Sequence, residues 1–231
     1  MRKLVITLLV VVGLLVALDR VGLLVAERAV ATEARTSGGL AVDPAVKIKG
    51  FPFLTQALRG SYDEVEVSAH GIMRGGVTLR SFTADLRDVQ VPFADAVKRQ
   101  LAQVPVSRLT ATAVIAYADI SFARGVDRKL VVAPSGDGLV RVTGSVSVLG
   151  ETLSATALSS VRLDGRTVVV TAKRFEVGGK AADAALASAL AGRLDLRLPV
   201  GALPYGLVLT GLTITKDGIV LTAEAGPTIL R

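Results

Sequence analysis

Apolar and polar positions divide this chain into one long apolar start and a series of alternating segments. Leu4 to Leu18 is apolar apart from Thr7 and Gly13, and Met1-Arg2-Lys3 puts positive charge in front of it, the arrangement of an export signal or a membrane anchor. Asp19 and Arg20 interrupt the run, and Val21 to Ala26 is a second apolar patch. Val21, Leu24, Val25 and Ala29 recur at helical spacing, which predicts an amphipathic helix over residues 20–35 that ends at Ser37-Gly38-Gly39. Residues 1–30 read as a signal peptide or N-terminal anchor. The triplet Ala29-Val30-Ala31 offers a cleavage site, while a retained anchor leaves everything after about residue 30 outside the membrane.

Beyond residue 40 the period changes to two. Val65, Val67 and Ala69 alternate with Glu64, Glu66, Ser68 and His70, the pattern of a strand with one wet face. Val77 and Leu79 hold one parity and Phe82, Ala84 and Leu86 the other, which predicts a bulge between them. Residues 92–101 open with Pro92 and set Phe93, Val97 and Leu101 four apart, predicting a short helix with one apolar stripe. Residues 109–117 read as a strand, 118–124 as a turn or short helix, and 129–133, 139–149, 152–163 and 167–177 as strands. Glycine turns at 135–138, 149–151 and 164–165 make them an antiparallel meander. Residues 180–194 are alanine-rich with helical spacing, and residues 207–215 and 219–225 form a closing hairpin. The fold class is α+β: a long, curved antiparallel sheet wrapped around or packed on a few helices, with residues 31–231 as a single domain.

One segment breaks both periods. Gly50-Phe51-Pro52-Phe53-Leu54-Thr55-Gln56-Ala57-Leu58-Arg59-Gly60 places two of the chain's six phenylalanines around a proline, between two glycines. Proline fixes its own φ and biases Phe51 toward an extended conformation, so the rings project from a strand-to-helix corner. Such a corner is either a core plug or the lip of an apolar cavity.

Composition narrows the function. Hydrophobic residues make up 51% and aromatics 4% of 231 residues, and the mean hydropathy is +0.54, so the interior is built from Val, Leu, Ala and Ile. The absence of cysteine removes disulfides, thiolate chemistry and cysteine metal sites. The net charge is +7, but the basic residues are scattered and not interleaved with stacking aromatics, so the acidic partner is an anionic lipid surface rather than nucleic acid. Catalytic signals are poor. His70 is the single histidine and lies on a wet parity, no serine sits in a nucleophile elbow, and the Asp63, Glu64 and Glu66 cluster reads as a solvated strand face. No cofactor is indicated.

The elements that remain resemble a known family, the LmeA-like phospholipid-binding proteins of the actinobacterial cell envelope. The residues that carry the resemblance are Gly50-Phe51-Pro52-Phe53-Leu54-Thr55-Gln56 with Gly60-Ser61-Tyr62, the strand Val65 to Ile72, Leu203-Pro204-Tyr205-Gly206-Leu207 and Asp217-Gly218-Ile219. The resemblance implies an exported or anchored phospholipid-binding protein, similar in fold to tubular lipid-binding domains, and implies no catalytic residues.

The expected function is therefore phospholipid binding, with lipid transfer, at an apolar cavity on the extracytoplasmic side of the membrane. Phe51, Phe53, Leu54 and Leu58 stand at its mouth, Val65, Val67 and Leu79 in its wall, and Phe93, Val97 and Leu101 on a helical cover. Lys47, Lys49 and Arg59 flank the corner as candidate phosphate contacts or as plain solvated charges. The competing classes are a cavity-free envelope adhesion module and a carboxylate-dependent envelope glycan-modifying enzyme.

Overall fold

The computed structural model describes residues 2–38, 40–74, 77–98, 103–119, 131–136, 138–148, 151–183, 196–199 and 203–230. The chain begins with one unbroken helix, α1 (Arg2–Gly38). β1 (Ala45–Lys49), α2 (Phe53–Arg59), β2 (Ser61–Arg74), β3 (Val77–Gln90) and α3 (Phe93–Lys98) follow. After these come β4 (Val104–Val106), β5 (Arg108–Ile115), a 3-10 turn (Tyr117–Asp119), β6 (Val131–Pro134), β7 (Leu139–Val148), β8 (Glu151–Asp164) and β9 (Thr167–Val177). The remainder is β10 (Lys180–Ala181), β11 (Leu196–Pro199), a second 3-10 turn (Pro204–Gly206), β12 (Val208–Ile214), β13 (Ile219–Ala225) and β14 (Thr228–Leu230). The fold is α+β, with large antiparallel sheets and few helices, as the alternation predicts.

Two compact units divide these elements. The first comprises Met1–His70, Thr83–Ala111 and Glu224–Arg231, and the second Gly71–Phe82 and Thr112–Ala223. One sheet runs in the order β1-β2-β3-β5-β13-β12. In the first unit β1 lies antiparallel on β2, with Ile48 opposite Val65 and Lys49 opposite Glu64, and β14 pairs with β4. Val46, Ile48, Phe53, Ala57, Tyr62, Val65, Ala69, Ala84, Leu86 and Val89 form its core. Burial on β3 changes parity between Leu86 and Val89, across Asp88 at φ 49°. This parity break is separate from the one expected between Leu79 and Phe82, both of which are half-buried.

The second unit holds the meander β10-β9-β8-β7-β6, with β11 on β9. Val132 pairs with Val142 and Val142 with Ala157, and all three are buried. This row of small β-branched and alanine side chains is the interior expected of a chain so poor in aromatics. A register shift at Leu158/Ser159 bends the β8–β9 pair.

Two expectations change here. Lys180 and Ala181 form a strand against β9 instead of opening a helix, because Gly178 and Gly179, both at positive φ, reverse the chain into a hairpin. The rest of that expected helix, residues 184–194, lies outside the described residues. The second change concerns α1. Val21, Leu24 and Val25, read from spacing as the packing stripe of an amphipathic helix, are exposed, Val25 at 60%. The face toward the first unit is the opposite stripe: Asp19, Gly22, Leu23, Ala26, Glu27, Val30, Ala31 and Ala34 are buried or half-buried. Small residues let β1 and α2 approach, and the two carboxylates on this stripe bind backbone N–H groups.

Candidate functional site

Within the first unit, the apolar helix meets the sheet side at a junction built from α1, β1 and α2. Leu54 lies in the first turn of α2, where backbone N–H groups have no partner inside the helix. Pro52 precedes that helix and offers no side-chain cap. Asp19, thirty-five residues earlier, supplies it: the Leu54 N–H donates to Asp19 Oδ1 at 2.8 Å. The other carboxylate oxygen accepts from Arg20 Nη2 at 2.7 Å. Asp19 is 2% exposed, so this is a buried carboxylate with both oxygens engaged. The Arg20 guanidinium also lies over the Phe51 ring, 5.0 Å from its centroid. Two turns further along α1, Glu27 Oε1 accepts the Ile48 N–H at 3.0 Å, tying the helix to β1.

The corner itself is fixed from within. Buried Gln56 donates from Nε2 to the Lys49 carbonyl at 3.2 Å and accepts the Asp63 N–H at 3.0 Å, so one side chain joins the strands on both sides of α2. Thr55 Oγ1 donates to the Pro52 carbonyl at 2.7 Å. The peptide bond Phe51-Pro52 is cis. Gly60 closes α2 in the left-handed region at φ 69°, and a Cβ there would stand 3.0 Å from Pro92 Cα, so both conformation and space require glycine.

The corner separates its two rings. Phe53 is 5% exposed and its ring centroid lies 6.1 Å from that of Tyr62, within the range of favourable aromatic pairing. It is a core residue under the corner. Burial also raises the Tyr62 phenol above its usual pKa. Phe51 is 65% exposed and Leu58 72%. Leu54 and Leu58 are one helical turn apart and share an exposed face of α2, and Phe51 stands exposed at the entry to that helix, under the Arg20 guanidinium. Val65 is in the core, and Val67 and Leu79 are half-buried on β2 and β3. Phe93 is exposed at the start of α3. The Val97 side chain and Leu101 lie outside the described residues.

A cleft of about 510 Å³ opens between α1 and β1, lined by Leu24, Glu27, Arg28, Ala31, Thr32, Asp43, Pro44 and Val46. Its size falls within the range of about 300–1,000 Å³ typical of small-molecule sites, and four of its eight lining residues, Glu27, Arg28, Thr32 and Asp43, are polar. None of the residues expected at a cavity mouth lines it. Sequence reasoning missed Asp19, Gly22 and Glu27 as well, although Gly22 and Glu27 stand three and eight residues after Asp19, which places all three on one side of the helix.

The flanking lysines are already matched. Lys49 Nζ lies 2.6 Å from Glu64 and 2.9 Å from Glu66, Lys47 lies 3.9 Å from Glu66, and Arg87 lies 2.6 Å from Glu64. The hydrogen bond from Lys49, with its charge, holds the Glu66 carboxyl below its ordinary pKa, and the two glutamates raise the Lys49 ammonium. Lys49 is thus committed to a strand-face network, whereas Arg59 is exposed and has no ion pair among the described residues. His70 is exposed on β2.

The family model for LmeA-like phospholipid-binding proteins matches residues 17–224. The chain belongs to the LmeA-like phospholipid-binding family. Neither a curated protein nor a solved structure matches it. The LmeA-like match begins just before Asp19, so it takes in the half of α1 that docks on the first unit. The segment ahead of it is the bare apolar part of a helix long and apolar enough to cross a membrane, as fits a signal or an anchor. Phospholipid binding is the chemistry of this LmeA-like family.

Proposed function

We propose that this protein is an extracytoplasmic phospholipid-binding and lipid-transferring protein, held at the outer side of the cytoplasmic membrane by α1. Family membership supplies the ligand class. The observation that carries the rest is the continuity of α1: one helix holds both the bare apolar segment and the residues that cap α2 and β1. Leu4 to Leu18 leaves roughly a dozen large apolar side chains uncovered. At about 1.5–3 kcal/mol each, their exposure to water costs on the order of 20–35 kcal/mol, so the segment belongs in a bilayer. Thr7, its polar interruption, donates its hydroxyl to the Lys3 carbonyl at 3.0 Å, which leaves that side chain satisfied in hydrocarbon.

Retention fits better than cleavage. Ala29-Val30-Ala31 is helical and Ala31 is buried, and a cut there removes Asp19, Gly22 and Glu27 from the folded part. Arg2 and Lys3 favour a cytoplasmic amino terminus, which puts the sheets outside. The lipid contacts are assigned to the exposed residues Phe51, Leu54, Leu58 and Phe93, with Phe53 and Val65 as their footing in the core. A diacyl lipid of about 30 chain methylenes costs on the order of 20 kcal/mol to expose at about 0.8 kcal/mol each, so transfer requires apolar protein surface next to the bilayer.

Three measurements on the full chain test this reading. Native mass spectrometry of protein released from detergent is expected to show a retained phospholipid, and labelled phospholipid is expected to move between vesicles at a rate proportional to protein. The chain lacks cysteine, so Val42→Cys gives a single thiol, expected to react in intact cells with a membrane-impermeant maleimide. Absence of both bound lipid and transfer overturns the binding and transfer reading, and a thiol reached only after lysis overturns the location.

A further inference from the structure

We propose that the Phe51–Leu58 corner is a membrane wedge: Phe51, Leu54 and Leu58 enter the outer leaflet of the bilayer alongside α1, while the sheets stay in water. The inference rests on the reading of α1 as a retained anchor and deepens it by fixing how far the folded part descends.

The length of the apolar run sets the depth. Leu4 to Leu18 rises about 21 Å at about 1.5 Å per residue, short of a hydrocarbon core of about 30 Å. The uncovered side of α1, however, stays apolar past the charged pair, through Val21, Leu24 and Val25. Leu4 to Val25 rises about 32 Å, which matches the bilayer. The membrane boundary then falls near Val25, and Asp19 and Arg20 lie below it.

Charges at that depth persist only when satisfied by protein. Asp19 has one oxygen on the Leu54 N–H and the other on Arg20, and Arg20 also covers the Phe51 ring. The Asp19 charge that interrupts the apolar run is therefore masked, while the Arg20 side chain, 45% exposed, is long enough to carry its guanidinium toward the headgroups. The same contacts set the height of α2. The Asp19–Leu54 hydrogen bond places its first turn level with residues 19–22, and a Cβ on Gly22 would lie 3.5 Å from Leu54 Cδ2 and 3.6 Å from Phe53 Cε1. That level is about 5–9 Å below Val25 at about 1.5 Å per residue, the depth at which amphipathic elements rest in the interface.

The corner has the chemistry this position requires. Phe51 and Leu58 are among the most exposed large apolar residues away from α1, Thr55 returns its hydroxyl to the Pro52 carbonyl, and Gln56 is buried with its amide engaged. Arg59, exposed at the end of α2, is long enough to reach anionic headgroups from there. A wedge of this kind lets an acyl chain pass from leaflet to protein without crossing water.

The test uses tryptophan, which the chain lacks. Phe51→Trp, Leu58→Trp, Leu9→Trp and Val42→Trp are each placed in the full-length chain and reconstituted in vesicles of phosphatidylcholine and phosphatidylglycerol. Bromine is carried either near the headgroup end or near the methyl end of the acyl chains. Leu9→Trp reports the anchor, and Val42→Trp, joined to the far end of α1 by the Arg35–Asp43 ion pair, reports water. The expected result is blue-shifted emission at Phe51→Trp and Leu58→Trp, quenched more by shallow than by deep bromine, with Val42→Trp unquenched. Quenching of Leu9→Trp alone overturns the wedge and leaves the anchor standing; quenching of none overturns both. Blue-shifted emission without bromine quenching means a protein contact covers the corner and overturns the wedge. So does quenching that follows only the first power of the brominated fraction, which means a single bound lipid.

Discussion

Asp19 caps α2 from another helix: its carboxylate takes the Leu54 N–H at 2.8 Å while buried against the Arg20 guanidinium. Removing the cap strands a backbone donor and leaves Arg20 without its carboxylate. Asp19→Ala is expected to destabilise the first unit by about 1–2 kcal/mol, and Asp19→Asn, which keeps an acceptor, by less. Urea unfolding of the full chain in detergent micelles measures the difference; equal losses for the two variants would show that the charge, not the hydrogen bond, matters.

Gly22 determines how closely α1 approaches α2. An added Cβ makes ordinary contacts at 3.5 Å with Leu54 and 3.6 Å with Phe53, so Gly22→Ala is expected to be near neutral. Gly22→Leu forces the helices apart and is expected to cost about 1–3 kcal/mol, as overpacking does. Proteolysis of the α1–β1 junction in micelles reports this, with faster cutting in the leucine variant only.

Much of this architecture is readable from residue order alone, and the failures have physical causes. The meander β6–β9 is legible because each strand alternates in sequence and the β6–β7 and β8–β9 turns carry glycine where the chain needs positive φ, at Gly136, Gly138 and Gly165. The corner is legible because Gly50 follows β1, Pro52 precedes α2 and Gly60 ends it. The seam of α1 is not. Its packed face is mostly small residues and two carboxylates, with Leu23 and Val30 half-buried among them, while Val21, Leu24 and Val25 face outward, so a rule that sends large apolar residues inward picks the wrong stripe. The Asp19–Leu54 and Glu27–Ile48 hydrogen bonds span 35 and 21 residues, and no local pattern announces them. β10, β11, β4 and β14 are two to four residues long, too short to show a period.

The two corner phenylalanines are expected to separate stability from lipid handling. Phe53 fills the core against Tyr62, so Phe53→Ala is expected to cost about 3–5 kcal/mol. Phe51 is mostly exposed, so Phe51→Ala is expected to change stability by within about 0.5 kcal/mol, yet to slow phospholipid transfer between vesicles. Unfolding and transfer assays on the same preparations check this. Unchanged transfer in Phe51→Ala would remove that ring from the lipid path.

The strand-face network gives stability a defined pH dependence. Lys49 holds the Glu66 carboxyl below its ordinary pKa, so the native state binds fewer protons there than the unfolded chain, whose glutamates titrate near about 4.3. The stabilisation is therefore present above that value and is lost as the pH falls through the lower native pKa. For Lys49 the sign reverses: its native pKa is raised, so its contribution holds below about 10.4 and disappears only in strong alkali. Of the Lys49–Glu66 pair, Glu66 alone changes state between neutral and acid pH. Lys49→Gln is expected to lower the urea midpoint at neutral pH and to reduce the further drop on acidification, because Glu66 then titrates near its ordinary value. The pairs are partly exposed, so raising the salt from about 0.1 M to about 1 M shortens the screening length from about 10 Å to about 3 Å and is expected to narrow the gap between the two proteins. An acid-induced drop of equal size in both would assign the loss to other carboxylates.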